Sequence, residues 1–288
     1  MNPGAKLGAY TLLLVAVLGG GAALGTAAGP IGISGDGGDA HASSRHAEDP
    51  DAVLGGELPA GGLMVSQDGY TLVPEDRLAD HGEFAFEVVG PDGEPVESYD
   101  RLHDRELHLI VASRDLTRFA HLHPGRDASG RWAVDLPALV PGPYRAFADF
   151  RPSGAGQLTL GVDLVAPGPG PIAAPPGLAA SRTDVVDGYE VTLEGDVAAG
   201  EEAGVTVAVR RDGRVVTTEP YLGAAGHLVA LRDGDLAYLH VHPLDDEPNG
   251  PVAFAVEVPS PGTYALFFDF LVDGTVRTAR FVAQAGSP

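Results

Sequence analysis

Leu107-His108-Leu-Ile-Val, Phe119-Ala-His121-Leu-His123-Pro124 and Pro141-Gly-Pro-Tyr144-Arg-Ala-Phe-Ala-Asp149-Phe150 occur in the first half of the chain. Gly226-His227-Leu-Val-Ala, Tyr238-Leu-His240-Val-His242-Pro243 and Pro261-Gly-Thr-Tyr264-Ala-Leu-Phe-Phe-Asp269-Phe270 occur in the same order in the second. His108 and His121 are 13 positions apart, as are His227 and His240. Asp149 follows His123 by 26 positions and Asp269 follows His242 by 27. Three histidines, a proline and an aspartate kept at near-identical spacing mark a duplicated unit. Trp132-Ala-Val-Asp-Leu aligns with Phe254-Ala-Val-Glu-Val, which extends the match between the two copies.

Around these anchors the local pattern is β. Phe84-Ala-Phe-Glu-Val-Val89 and Val205-Thr-Val-Ala-Val-Arg210 read as strands, each followed by a turn signal, Pro91-Asp-Gly-Glu-Pro95 or Arg211-Asp-Gly-Arg214. Gln157 to Val165 and Thr275 to Val282 read as the closing strand of each copy. Several short strands in about a hundred residues predict an immunoglobulin-like sandwich rather than a small barrel. Trp132, Phe254, Tyr144 and Tyr264 read as core or corner aromatics. The fold class expected is therefore all-β, two tandem immunoglobulin-like β-sandwich domains after an N-terminal transmembrane or signal helix.

The boundaries follow from composition. Residues 1–34 hold the apolar run Tyr10-Thr-Leu-Leu-Leu-Val-Ala-Val-Leu, with no charge from Leu7 to Ser34, Lys6 before it and Asp36 and Asp39 after it. That length suits a membrane anchor, which needs about 20 residues, with Lys6 on the cytoplasmic side. Ala27-Ala28-Gly29 also offers small residues for a signal-peptide cut. Either reading sends the rest of the chain outside the cytoplasm, as a single-pass cell-membrane protein or, if cleaved, a secreted one. Residues 35–62 are Gly-, Asp- and Ala-rich and read as a flexible tether, with His41 and His46 solvated in it. The domains are then 63–166 and 181–288, joined by a Pro/Gly linker at 167–180 that cannot pair in a sheet.

Composition narrows the chemistry. Forty acidic against 18 basic residues give a net charge of −22, which excludes nucleic acid as a partner and favours cations near the surface. Cysteine is absent and Met1 and Met64 are the sole methionines, so disulfides, thiolate sites, Cys nucleophiles and thioether copper sites are excluded. Any metal must be held by imidazole and carboxylate.

The histidines supply such a set. Alternate residues of a strand share a face, so His121 and His123 present two imidazoles side by side, as do His240 and His242. His108 or His227, on the neighbouring hairpin strand, supplies a third. Asp149 and Asp269 sit among Tyr, Ala, Leu and Phe, where a lone carboxylate costs several kcal/mol and calls for a cation or donors. The expectation is one site per domain: His108, His121, His123 and Asp149 in the first, His227, His240, His242 and Asp269 in the second. The aspartate either ligates or orients one imidazole from behind. Such donors suit Cu²⁺ or Zn²⁺. The competing reading makes each His–Asp cluster purely structural. His103, whose counterpart is Leu222, and His81 read as surface histidines.

Glu106-Leu-His-Leu-Ile-Val-Ala-Ser-Arg-Asp-Leu with Phe119-Ala-His-Leu-His-Pro, and the segment Gly226 to Pro243, resemble actinobacterial secreted or membrane-anchored proteins described as heavy-metal-binding. The resemblance covers about Asp100 to Phe150 and Tyr221 to Phe270, and it implies metal binding without a mechanism. There is a looser similarity to periplasmic copper-carrier β-sandwiches, which also use histidines and an aspartate. The function expected is extracytoplasmic divalent-metal binding, for buffering, delivery or sensing. The alternative is a structural or adhesive surface module. Three imidazoles and a metal-bound water could also hydrolyse a substrate. No separate general base, nucleophile elbow or phosphate loop is visible, so the chain is not expected to be an enzyme.

Overall fold

The computed structural model describes residues 60–79, 82–169, 177–200, 202–239, 241–244 and 250–286. They belong to one compact unit, Glu57–Pro288. The anchor or signal segment and nearly all of the tether, including His41 and His46, lie outside the described residues, as does His81.

The first sandwich is built from β1 (Ser66–Gln67), β2 (Tyr70–Pro74), β3 (Glu83–Val89), β4 (Tyr99–Asp100) and β5 (Leu107–Ser113). It continues with β6 (Phe119–Leu122), β7 (Gly125–Arg126), β8 (Trp132–Asp135), β9 (Gly142–Pro152) and β10 (Leu158–Ala166). One sheet runs β1-β2-β3-β8-β7 and the other β10-β9-β5-β6, with β4 on β9. The second sandwich starts with β11 (Thr183–Val186), β12 (Tyr189–Glu194), β13 (Glu202–Arg211), β14 (Arg214–Val215) and β15 (His227–Arg232). It ends with β16 (Tyr238–Leu239), β17 (Val241–Pro243), β18 (Val252–Glu257), β19 (Gly262–Val272) and β20 (Thr275–Ala285). Its sheets run β11-β12-β13-β18-β17, with β14 on β13, and β16-β15-β19-β20. All named pairings are antiparallel, and the described residues are all-β: two tandem immunoglobulin-like sandwiches.

Local chemistry explains the turns. Asp212 (φ 51°) and Gly213 (φ 74°) close the β13–β14 hairpin, and Asp273 (φ 52°) and Gly274 (φ 66°) close β19–β20. Two consecutive positive φ angles match the right-handed twist of the flanking strands, and Asp-Gly tolerates them best. Both sandwiches also carry a tyrosine corner. Tyr144 Oη donates to Val140 O at 3.0 Å, and Tyr264 Oη donates to Ser260 O at 2.7 Å.

Strand parity decides what lies between the two sandwiches. On β5, Leu107, Leu109 and Val111 enter the first sandwich's core, while Ile110 and Ala112 enter a separate cluster on the opposite face. On β9, Tyr144, Ala146, Ala148 and Phe150 face the core, and Phe147 faces the same separate cluster. The second copy repeats this. Leu228, Ala230, Leu266, Phe268 and Phe270 fill its core, and Val229, Leu231, Ala265 and Phe267 point the other way. The β5–β9 and β15–β19 sheets therefore meet face to face, each buried on both sides. Phe119 of the first copy stacks on Phe267 of the second, with centroids 4.2 Å apart and planes 7° apart. Reciprocally, Tyr238 of the second copy lies 5.7 Å from Phe147 of the first. Equivalent elements of a duplicated unit thus exchange contacts, as in an isologous dimer interface.

Candidate metal centre

The parity that sends Ile110, Phe147, Val229 and Phe267 between the sandwiches also sends His108, Asp149, His227 and Asp269 there. His108 stands directly opposite Asp149 in the β5–β9 register, and His227 opposite Asp269 in β15–β19. All four are buried. Ile110 pairs with His121 across the β5–β6 hairpin, so His121 and His123 return towards the start of β5.

The ring nitrogens form a chain of contacts. His108 Nε2 donates to Leu102 O at 2.9 Å, and His108 Nδ1 stands 2.9 Å from His121 Nε2. On its other side, His121 Nδ1 faces Asp269 Oδ2 at 2.8 Å, a contact from the first sandwich to the second with both side chains almost fully buried. Asp269 also accepts from Thr278 Oγ1. Asp149 accepts from Gln157 Nε2 at 3.0 Å and Thr159 Oγ1 at 3.1 Å. His227 Nε2 donates to Tyr221 O at 2.8 Å, just as His108 uses Leu102. These carbonyls fix both rings and present Nδ1 as the remaining ligand atom.

His123 behaves differently. Its Nε2 is buried and has no hydrogen-bond partner among the described residues. Its ring centroid is 4.8 Å from that of His121 and 5.1 Å from that of His108. One donor atom from each of His108, His121 and His123 falls within 4.8 Å of the other two. Nitrogens sharing one tetrahedral ion at ~2.0–2.1 Å stand about 3.3 Å apart. Holding one ion would take a shift of the rings, the ion replacing the contact between His108 and His121.

Electrostatics keep His108, His123 and His227 neutral. Burial, followed by the neighbouring His121, lowers the pKa of His108 to about 4. Burial and then His121 and His108 lower that of His123 to about 3. Burial is likewise the main cause for His227, lowered to about 4. Neutral imidazole is the metal-binding form.

Of the expected one His₃/Asp set per domain, His108, His121 and His123 of the first come together, and Asp149 lines the cavity beside His108 and His121. The described members gather at a common interface, where Asp269 contacts His121 of the other domain. His227 is 6.0 Å from His121 and 6.4 Å from His108, centroid to centroid. His240 lies outside the described residues, and only the backbone of His242 is described, in β17. His103, expected at the surface, lies at this interface, 5.1 Å from His227 and 6.1 Å from His108. It sits in a turn with positive φ (48°), closed by a bridge between Leu102 and Arg105. The matching turn of the second copy has Leu222 at φ 51° between Tyr221 and Ala224. Absence of a repeat partner hid His103, and the shared turn geometry is what places it. His103, His108, His121, Asp149, His227 and Tyr238 line a cavity of about 30 Å³ between the sandwiches. That is room for one water or ion.

No curated protein matches the sequence. Among solved structures, a titin fragment shares 9% identity over 76% of this chain and 97% of its own length, with a TM-score of 0.21. A Salmonella alpha-2-macroglobulin shares 14% identity over 80% of this chain and 15% of its own, with a TM-score of 0.26. Domains 4–9 of the surface layer protein SbsC share 13% identity over 76% of this chain and 31% of theirs, with a TM-score of 0.21. Overlaps of this size carry no argument about what the chain does. The family model described as "Domain of unknown function (DUF8832)" matches twice, over residues 65–162 and 184–287, one match in each sandwich, and the chain belongs to that family.

Proposed function

We propose that this chain binds a divalent transition-metal ion, Cu²⁺ or Zn²⁺, at the imidazole cluster between its sandwiches, and that it buffers, delivers or senses that metal outside the cytoplasm. The observation that carries the reading is the buried Nε2 of His123, without a hydrogen-bond partner among the described residues, beside the linked rings of His108 and His121. A buried polar atom without a partner costs about 1–3 kcal/mol, and an ion at this point removes that cost. Imidazole donors fit Cu²⁺ and Zn²⁺ better than Mg²⁺ or Ca²⁺. His108, His121 and His123 are the proposed ligands. His227 and Asp149 line a cavity together with His108 and His121, and Asp269 orients His121. His240 and His242 remain candidates through the repeat alone. The extracytoplasmic placement rests on the apolar segment at residues 1–34. The role is one of binding rather than catalysis, in keeping with a cavity of about 30 Å³.

A second reading is favoured by the contacts that run unbroken from Leu102 through His108 and His121 to Asp269. These would hold two sandwiches together without an ion, in a structural surface protein. Calorimetric titration of the full chain with Cu²⁺ and with Zn²⁺ separates the two. Saturable binding that is lost in His121→Ala and His123→Ala supports the metal reading. Binding no tighter than that of isolated surface histidines, and unaffected by those substitutions, leaves the structural one.

A further inference from the structure

We infer that the ion is shared between the two sandwiches, with the second closing the site through His227 and holding it through Asp269, so that metal uptake tightens the docking of the domains. This rests on the metal reading above and adds the residues and the consequence. Three independent contacts lead to it. The carboxylate of Asp269 belongs to β19 of the second sandwich, yet it contacts the Nδ1 of His121 at 2.8 Å. A carboxylate behind a ligating imidazole fixes ring orientation and raises basicity, and its loss typically costs 10–100-fold in affinity.

The ring of His227 comes next. Tyr221 O holds its Nε2 at 2.8 Å, which leaves Nδ1 as the ligand atom, and the ring lies 6.0 Å from His121 and 6.4 Å from His108. His108 is held in the same way by Leu102 O, so each sandwich fixes one ring at the cavity through its Nε2. Last, the cavity of about 30 Å³ is lined from both sides, by His103, His108, His121 and Asp149 of one copy and His227 and Tyr238 of the other. His103 adds a ring edge-on to His227 at 5.1 Å. The site thus has three imidazoles on β5 and the β6 hairpin, and its fourth side is occupied by the other domain.

Any ligand that binds only the docked arrangement stabilises it by mass action. Domain docking and metal occupancy are therefore linked, and either one reports on the other.

The test uses the full chain with Cu²⁺ as the probe, comparing wild type, His227→Ala and Asp269→Asn. Titration should show affinity reduced at least tenfold in each variant. Electron paramagnetic resonance with nitrogen modulation should count four bound imidazoles in wild type and three in His227→Ala. Melting without metal checks that each variant folds. The imidazole count is read on folded protein, so a destabilised Asp269→Asn leaves the question decided by His227→Ala. Unchanged affinity in both variants, with three imidazoles in wild type and in His227→Ala, overturns sharing while metal binding by the first sandwich stands. Absence of binding in wild type overturns the metal reading instead.

Discussion

At the residue scale, His123 and His121 stand two positions apart in opposite hydrogen-bonding states. His121 has a polar partner on each ring nitrogen, and His123 has a buried Nε2 with none. Among the described residues that nitrogen is unpaired, and an apolar side chain of similar size is nearly neutral or stabilising at such a point. His123→Leu is therefore expected to leave the metal-free melting temperature unchanged or raise it, by up to about 1 kcal/mol in unfolding free energy. It should also weaken Cu²⁺ binding at least tenfold. A loss of metal-free stability would mean that His123 has a structural role. The sequence placed His121 and His123 on one face and His108 beside them, because alternation along a strand and a short hairpin leave little freedom. It did not place His103, since a turn residue without a periodic pattern carries no facing information.

At the element scale, the main strands, the turn at Asp212-Gly213 and the corner tyrosines were legible, because each depends on a few neighbouring residues. The docking of β5–β9 against β15–β19 was not drawn from the sequence, although its signal was present. Leu107 to Ser113 is buried at every position, and so are Tyr144 to Phe150 and Tyr264 to Phe270. A sheet with one face in solvent alternates instead. The burial of both faces required a second partner for each sheet, and repeat spacing alone cannot say whether that partner is the other copy. The exchange of Phe119 onto Phe267 supplies the answer. Each of Phe119→Ala and Phe267→Ala should cost about 3–5 kcal/mol. The double mutant should fall short of their sum by about 0.5–1.5 kcal/mol, the coupling of a stacked pair. Denaturant unfolding of the four proteins measures this, and strict additivity would mean that the two rings do not meet.

At the scale of the whole molecule, the interface between the sandwiches is both an apolar core and the place where the buried histidines collect. This makes acid a stress on the metal-free fold. His108 and His227 have folded-state pKa values lowered to about 4 against about 6.5 when unfolded, chiefly through burial. Below pH 6.5 the unfolded chain takes up protons that the folded chain does not, so stability is complete above that pH and declines as pH falls towards about 4. Between pH 6.5 and 5 the loss is of the order of 1–2 kcal/mol for each of these two rings, which melting curves across that range would register as a steady fall. A flat profile would contradict the burial of neutral imidazoles. The account as a whole rests on an ion fitting where rings from β5 and the β6 hairpin converge against the second sandwich. Anomalous scattering from crystals soaked in Cu²⁺ or Zn²⁺ tests that most directly. The account predicts a strong peak about 2.0–2.1 Å from nitrogens of His108, His121 and His123, between the two sandwiches. Clear density for those three rings with no peak among them, in protein exposed to saturating metal, would contradict it.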